Sequence, residues 1–338
     1  MSDLRLIGGD LLPPRSERRH LLSIADLTSE DVERLLATAR SFSISQEREN
    51  KKLPTLRGRL VLNVFYESST RTSSSFELAA KRLSADTMTL KSSGSSVDKG
   101  ESLKDTIATL SAYDPAAIVI RSPHAGAADL VAGWTDASVI NAGDGKHEHP
   151  SQALLDVYTL RRHVGELKGK KIWIVGDVMH SRVARSDLIA FREMGAEVTV
   201  CGPPTLIPRG IAEELGCEVA YTLDGLDEAD VVYALRMQRE RMSESFVPSL
   251  REYAARYQVD ARRLGPRQLL MHPGPVNRGV ELSGEVIDSP RSLIAEQVES
   301  GLVVRMAILY ELLAGSDRPR SATSGEPVPD PTTIGQPA

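Results

Sequence analysis

Residues 65–72 read Phe65-Tyr66-Glu67-Ser68-Ser69-Thr70-Arg71-Thr72, a set of side chains that could hold a phosphate. Ser69, Thr70 and Thr72 offer hydroxyl donors, and Arg71 offers a planar two-pronged guanidinium that matches phosphate oxygens. The flanks say where this set must sit. Before it, Leu60, Val61, Leu62, Val64 and Phe65 make an apolar run of buried-strand type. After it, Phe76, Leu78, Ala79 and Leu83 recur with helical spacing. The set therefore lies where a strand turns into a helix, at an end with free backbone N–H groups and the partial positive charge of the helix dipole. The same residues would also serve as an N-cap run with Arg71 in a surface ion pair, and spacing alone leaves the two readings level.

Other polar residues stand at similar places. Arg121 closes the apolar run that begins at Ala117, and His149 precedes Pro150, which opens a helix to about His163. Arg182 follows the strand pattern at 170–175 and the loop 176–181. Arg236 and Gln238 follow the run Asp230–Ala234, and Pro273 and Gly274 follow Gln268–Met271. In open parallel sheets, ligands bind beyond the C-terminal ends of strands, so these positions point to one cleft between two sheets. Further strand patterns at Thr87–Leu90, 138–142 and 197–201 alternate with helical ones at 101–113, 182–194, 208–215 and 292–313. An opening helix reads from Ser29, taken as its N-cap, with an acidic first turn. The expected fold is α/β: two doubly wound parallel-sheet domains with the site in the cleft between them.

Length and composition narrow the classes. A chain of 338 residues accommodates two domains of ordinary size. Its net charge of −5 gives no bulk electrostatic case for nucleic acid as a partner. Cys201 and Cys217, the two cysteines, make no disulfide framework, and a cytoplasmic setting is the simple expectation. Residues 1–19 lack the apolar core of a signal peptide, and no stretch approaches the roughly 20 apolar residues of a membrane helix. Residues 315–338, rich in Pro, Ser, Thr and Gly, are expected to be a disordered tail.

Ser69-Thr70-Arg71-Thr72 after a buried strand resembles the phosphate loop of the transcarbamylase family. Six further motifs follow in that family's order over roughly residues 20–314: Asp98-Lys99-Gly100-Glu101, Arg121, His149-Pro150-Ser151-Gln152, Arg182, Arg236-Met237-Gln238 and His272-Pro273-Gly274-Pro275. Matched one by one, they are nearer the aspartate-using branch than the ornithine-using one, whose His-Cys-Leu-Pro loop is replaced here by Pro273-Gly274. The resemblance implies transfer of the carbamoyl group of carbamoyl phosphate to the α-amine of L-aspartate, an early step of pyrimidine synthesis, with no cofactor and no metal.

It also implies roles. Ser69, Thr70, Arg71 and Thr72 hold the phosphate, with Ser95 among the carbamoyl phosphate ligands. Thr72, Arg121 and His149 polarise the carbamoyl oxygen, where donors are usually the largest catalytic contribution. Gln152, three residues after His149 on the same helical face, binds the carbamoyl nitrogen with the backbone carbonyls of Pro273 and Gly274. Lys99, Arg182, Arg236 and Gln238 bind aspartate. Lys99 and Ser95 lie on a loop that in the family reaches the neighbouring subunit's site, so the implied active unit is a homotrimer. The implied division is residues 20–150 with 291–314 for carbamoyl phosphate and 151–290 for aspartate, the last helix returning to the first domain. Val183 stands where some members have a threonine, which removes one hydrogen bond. The form of the Gly274–Gly279 loop leaves open whether regulatory or dihydroorotase chains join the trimer.

Three other readings compete. An ornithine-type enzyme differs in its amino-acid substrate. A nicotinamide-dependent dehydrogenase is suggested by Lys171-Ile-Trp-Ile-Val-Gly-Asp177, but the Gly-x-Gly-x-x-Gly fingerprint is absent. A non-catalytic scaffold subunit would have lost the site, whereas each matched position carries a chemically competent residue. A zinc site on His147 and His149 would need its remaining ligands from two remote cysteines, a poor set. No Gly-x-Ser-x-Gly elbow marks a serine nucleophile, so attack is expected to be direct, with the departing phosphate as proton acceptor.

Overall fold

The computed structural model describes residues 6–7, 10–11, 18–91, 101–238 and 246–314. A two-residue antiparallel pair, β1 (Leu6–Ile7) and β2 (Asp10–Leu11), precedes the main body. The first half then runs α1 (Ser29–Gln46), β3 (Leu60–Phe65), α2 (Thr70–Arg82), β4 (Asp86–Lys91), α3 (Leu103–Ser111), β5 (Ala117–Ser122), α4 (Ala127–Ala132), β6 (Ser138–Asp144) and α5 (Pro150–Val164). The second runs β7 (Lys171–Val175), α6 (Arg182–Glu193), β8 (Glu197–Cys201), α7 (Ile211–Leu215), β9 (Glu218–Ala220), β10 (Val231–Ala234), α8 (Leu250–Tyr257), β11 (Leu269–Met271), α9 (Gly284–Ile287) and α10 (Ile294–Leu313).

The strands form two parallel sheets, ordered β4-β3-β5-β6 and β11-β10-β7-β8-β9. Both are doubly wound, as expected. Their central strands, β3, β5, β7 and β10, are apolar on both faces, which parallel sheets covered by helices require. In β3, Leu62 and Val64 face a core with Ile107, Leu110 and Val131, while Val61 and Phe65 join the opposite core with helices α1, α2, α5 and α10. In β7, Ile172 and Ile174 belong to that same large core, and Trp173 and Val175 to a third one under α8. Helix α5 is buried from Pro150 through Leu160, and α10 carries 14 buried residues; such all-round burial marks helices inside the molecule. Helix α10 packs on α1, α2 and α5, bringing the end of the described chain back onto the first sheet.

Strand order changes direction between β3 and β5 in one sheet, and between β7 and β10 in the other. Such reversal points open a crevice at the strands' C-terminal ends. Phe65 pairs with Arg121 across the first and Val175 with Ala234 across the second, so the loops that follow emerge side by side.

Several local expectations need correction. Helix α1 is capped by Thr28, not Ser29: with Thr28 at the cap, Asp31 falls three residues on and closes a reciprocal capping box, at 3.2 and 3.3 Å. The helix expected over 208–215 begins only at Ile211, after Gly210 turns left-handed at φ 78°. Helices α4 and α8 and strand β9 carry patterns too short for period counting. Among the described residues, no helix is long and apolar enough to cross a membrane. Both cysteines are free and buried.

Candidate active site

At the top of β3 the chain turns through Tyr66–Ser68 into α2. The Tyr66 N–H donates to the Arg121 carbonyl at 2.8 Å, which ties this turn to the end of β5. Ser69 is the N-cap in extended conformation, and its hydroxyl accepts from the Thr72 N–H at 3.4 Å. Thr70, Arg71 and Thr72 therefore form the first turn, whose N–H groups have no partner within the helix. Thr72 is buried, while Thr70 and Arg71 are exposed. The Arg71 guanidinium packs against the loop after β11: a Cβ added at Gly274 would sit 2.8 Å from its central carbon, so a side chain there would displace the guanidinium. Partial burial, and then the charge of Arg236 across the cleft, lower the Arg71 pKa.

Two more arginines converge from β5 and α6. Arg121 donates to the Ala142 carbonyl at 3.2 Å, and Arg182, almost wholly buried, donates to the Gly145 carbonyl at 3.2 Å. Glu67 accepts from both, at 3.3 and 2.8 Å. The strand β6 gives way to them at Gly143, whose φ of 116° suits glycine and where a Cβ would sit 2.9 Å from Arg182 Nε. Ser181 caps α6 by accepting from the Ala184 N–H at 3.1 Å, which fixes where Arg182 enters the cleft. Asp177, buried at the end of β7, accepts from the His180 ring at 2.8 Å and from the Gln238 N–H at 3.1 Å. One carboxylate thus holds both the approach to Arg182 and the loop that presents Arg236 and Gln238.

His149 is the residue before α5. Its N–H donates to Ser186 Oγ at 2.8 Å and the side chain is buried. One turn on, Gln152 donates through Nε2 to the Asp156 carboxylate at 3.1 and 3.3 Å, which leaves its oxygen Oε1 as the remaining acceptor. Asp156 is fully buried and also accepts from Tyr233 Oη at 2.8 Å and Gln297 Nε2 at 2.6 Å. Gln297 Oε1 in turn accepts from the His272 N–H at 3.0 Å. His272 Nδ1 accepts from the Gly274 N–H at 2.8 Å, so the Pro273–Gly274 turn hangs from the same network; the Gly274–Pro275 peptide is cis. Burial raises the Asp156 pKa to about 6 against the pull of Gln297, Tyr233, Gln152 and Asp187.

These groups line one cleft of about 510 Å³. Ser69, Thr70, Arg71, Thr72, Arg121, His149, Gln152, Arg182, Arg236, Gln238, Pro273 and Gly274 all border it. Val183 borders it too. Ser95, Lys99 and the rest of the Asp98–Gly100 motif lie outside the described residues. Five arginines border the cleft, against one carboxylate, Glu67, among the described residues. The fifth, Arg305 of α10, went unread in the sequence. It is buried over the Phe76 ring, 5.1 Å from the centroid, and donates to Ser75 Oγ at 3.0 Å. Burial lowers its pKa to about 10. Glu67, Asp156, Asp177 and Gln297 were also missed; Glu67 alone carried a signal, since it lies inside the opening motif.

His147 does not join His149. Its ring lies 3.0 Å from Asp144 Oδ2, and no group of three or more metal-ligating side chains occurs among the described residues. The cleft as built can bind a phosphate at a helix N-terminus, donate to a developing oxyanion, and pair guanidinium groups with carboxylates.

Comparison with known proteins follows the same lines. Residues 19–162 match the family model "Aspartate/ornithine carbamoyltransferase, carbamoyl-P binding domain", and residues 168–312 match its "Asp/Orn binding domain". The chain is 55% identical to the aspartate carbamoyltransferase catalytic subunit of Acidothermus cellulolyticus, over 91% of this chain and 97% of that one. It is 56% identical to the Salinispora arenicola subunit of the same name, over 89% and 99%. Among solved structures, aspartate transcarbamoylase from Trypanosoma cruzi in complex with aspartate and phosphate superposes with a TM-score of 0.81, at 31% identity over 90% of this chain and all of that one. The catalytic subunit of M. jannaschii aspartate transcarbamoylase gives 0.77 at 36%, over 87% and 98%. Sequence motifs, two sheet reversals facing one cleft, and these relatives agree: the chain belongs to the aspartate/ornithine carbamoyltransferase family.

Proposed function

We propose that this chain transfers the carbamoyl group of carbamoyl phosphate to the α-amine of L-aspartate, giving N-carbamoyl-L-aspartate and phosphate, in pyrimidine synthesis. The observation that carries this reading is the meeting, in one cleft, of the α2 N-terminus with Arg182 and Arg236 from the second sheet. The relatives named aspartate carbamoyltransferase support it, as does the Trypanosoma cruzi enzyme, solved with carbamoyl phosphate and aspartate together.

The phosphate sits on Ser69, Thr70, Arg71 and Thr72, where N–H groups, hydroxyls and the guanidinium all donate. Thr72, Arg121 and His149 donate to the carbamoyl oxygen as negative charge grows on it. Fixed donors there contribute about 3–4 kcal/mol each to catalysis. Gln152 Oε1 and the carbonyls of Pro273 and Gly274 accept from the carbamoyl N–H groups. Arg182, Arg236, Gln238 and Lys99 take the two carboxylates of aspartate, and Ser95 joins the phosphate side. The surrounding guanidinium charge favours the neutral α-amine, the form that attacks. The C–N bond forms, the C–O bond to phosphate breaks, and the departing phosphate takes the amine proton. The test is formation of carbamoyl-aspartate by the purified chain, with ornithine run in parallel; faster carbamoylation of ornithine would overturn the reading.

Residues 20–150 with 291–314 form the carbamoyl phosphate domain and 151–290 the aspartate domain; the expected tail, 315–338, lies outside the described residues. The packing of α10 on α1 and α2 supports this division. The enzyme is a cytoplasmic homotrimer whose neighbouring subunit supplies Ser95 and Lys99, and it can be joined by regulatory or dihydroorotase chains. Arg71→Ala and Lys99→Ala chains, each inactive alone, regain activity when mixed. About one site in four then combines an intact Arg71 with an intact Lys99 from the neighbour. Mixed trimers, verified by mass, that show no recovery would sink the shared site.

A further inference from the structure

We infer that Asp156 is a positioning residue that fixes the orientation of two side-chain amides, Gln152 and Gln297, and through them every acceptor offered to the carbamoyl nitrogen. The inference rests on the reading of Gln152, Pro273 and Gly274 given above. An amide side chain has two ends of nearly equal shape, one donating and one accepting, and only its partners decide which way it points. A carboxylate accepts and cannot donate. Asp156 therefore draws Nε2 of Gln152 toward itself, at 3.1 Å, and Nε2 of Gln297, at 2.6 Å. Both oxygens are turned outward as a result. Gln152 Oε1 is left for the substrate, and Gln297 Oε1 takes the His272 N–H at 3.0 Å. His272 carries the Pro273–Gly274 turn and accepts the Gly274 N–H at 2.8 Å. Reversing either amide would present an N–H donor to the carbamoyl N–H groups, or set two N–H groups face to face at His272.

The groups around Asp156 keep the charge on it. Tyr233 Oη donates at 2.8 Å from β10. Asp187, on α6 and equally buried, is driven toward its protonated form by burial and by the charge of Asp156. Arg305, the buried cation of α10, interacts electrostatically with Asp156. A buried carboxylate is costly, and apolar side chains of similar volume pack as well or better. Its use here is to make the two ends of each amide inequivalent.

The test is a double-mutant cycle on carbamoyl phosphate kinetics. Asp156→Asn keeps shape and burial but adds a donor, so Gln152 is no longer held one way. Asp156→Asn and Gln152→Ala should each lower kcat/KM about ten- to a hundredfold, and the double variant should fall short of the product of the two losses by about tenfold, its excess over Gln152→Ala being the part carried through Gln297. Asp187→Asn, which leaves the Asp156 carboxylate in place, should stay within about threefold of wild type. Losses that multiply in the double variant would overturn the inference while leaving Gln152 a substrate ligand. A Gln152→Ala chain with unchanged kinetics would instead overturn the reading of Gln152 itself. A second measurement needs no folded Asp156 variant. In the wild-type enzyme, the Gln152 side-chain N–H signals, assigned by their loss in Gln152→Ala, should resist exchange with water. Rapid exchange, the mark of an amide turned into the cleft, would overturn the inference.

Discussion

Arg71→Ala removes carbamoyl transfer and leaves the fold standing. Arg71 is exposed in the first turn of α2, so its loss takes away no core contact. Its guanidinium packs on Gly274 and is repelled by Arg236, and a phosphate between the two would neutralise that repulsion. The variant loses a bidentate charge-assisted pair to the phosphate, in both the bound and the departing state. Loss of a fixed donor where charge develops lowers kcat by about a hundred- to a thousandfold. The midpoint of thermal unfolding should move little, since exposed substitutions stay within about 0.5 kcal/mol. Unfolding of the variant under conditions where the wild type is folded would show Arg71 to be structural.

Arg236→Ala separates the two substrates. Arg236 follows β10 in the second sheet and is half-buried, bordering the cleft opposite α2. Aspartate offers two carboxylates, ornithine one and a cationic tail. Each charge-assisted pair contributes roughly 1.5–3 kcal/mol, so the variant should lose about ten- to a hundredfold or more in kcat/KM for aspartate. Carbamoyl phosphate binding should stay nearly intact, because the α2 N-terminus and Arg71 that hold the phosphate belong to the first sheet's side of the cleft. The check is titration with carbamoyl phosphate alone beside kinetics at varied aspartate. Abolished carbamoyl phosphate binding with aspartate use intact would reverse the assignment of Arg236. Arg182 and Arg236 together also oppose an ornithinium side chain, a repulsion that selects between amino acids as much as attraction does.

How much of this site the sequence exposes depends on the reach of each contact. Ser69–Thr72 is legible because strand, cap and helix follow one another within the chain, and the local pattern is the structure. Arg121 and His149 are legible because strand ends place them. Arg236 is not, since Arg236–Arg241 reads as any solvated charged run; family resemblance singles it out, and the structure brings it to the cleft wall. Asp156 and Gln297 are 141 positions apart, and no period in the sequence records that they meet. Arg305 hides among the apolar residues of α10, where its role depends on the Phe76 ring beneath it. The cap of α1 falls one residue before the expected one because Ser29 is the better cap by type, whereas the Asp31 carboxylate closes its box on Thr28.

Helix α10 has a consequence for the order in which the chain is made. It completes the core over α1, α2 and α5, with Val304, Ile308 and Leu312 buried among them. The polypeptide must therefore be synthesised through Leu313 before its opening helices are covered, although α5 ends at Val164. At roughly 5–20 residues per second, the intervening stretch of about 150 residues takes roughly 7–30 s to emerge. During that interval Val32, Leu35, Phe42 and Phe76 lack their final partner. Folding of the first half is thus timed by translation of the second, and a chain stopped before α10 presents an open apolar groove to the cell's chaperones.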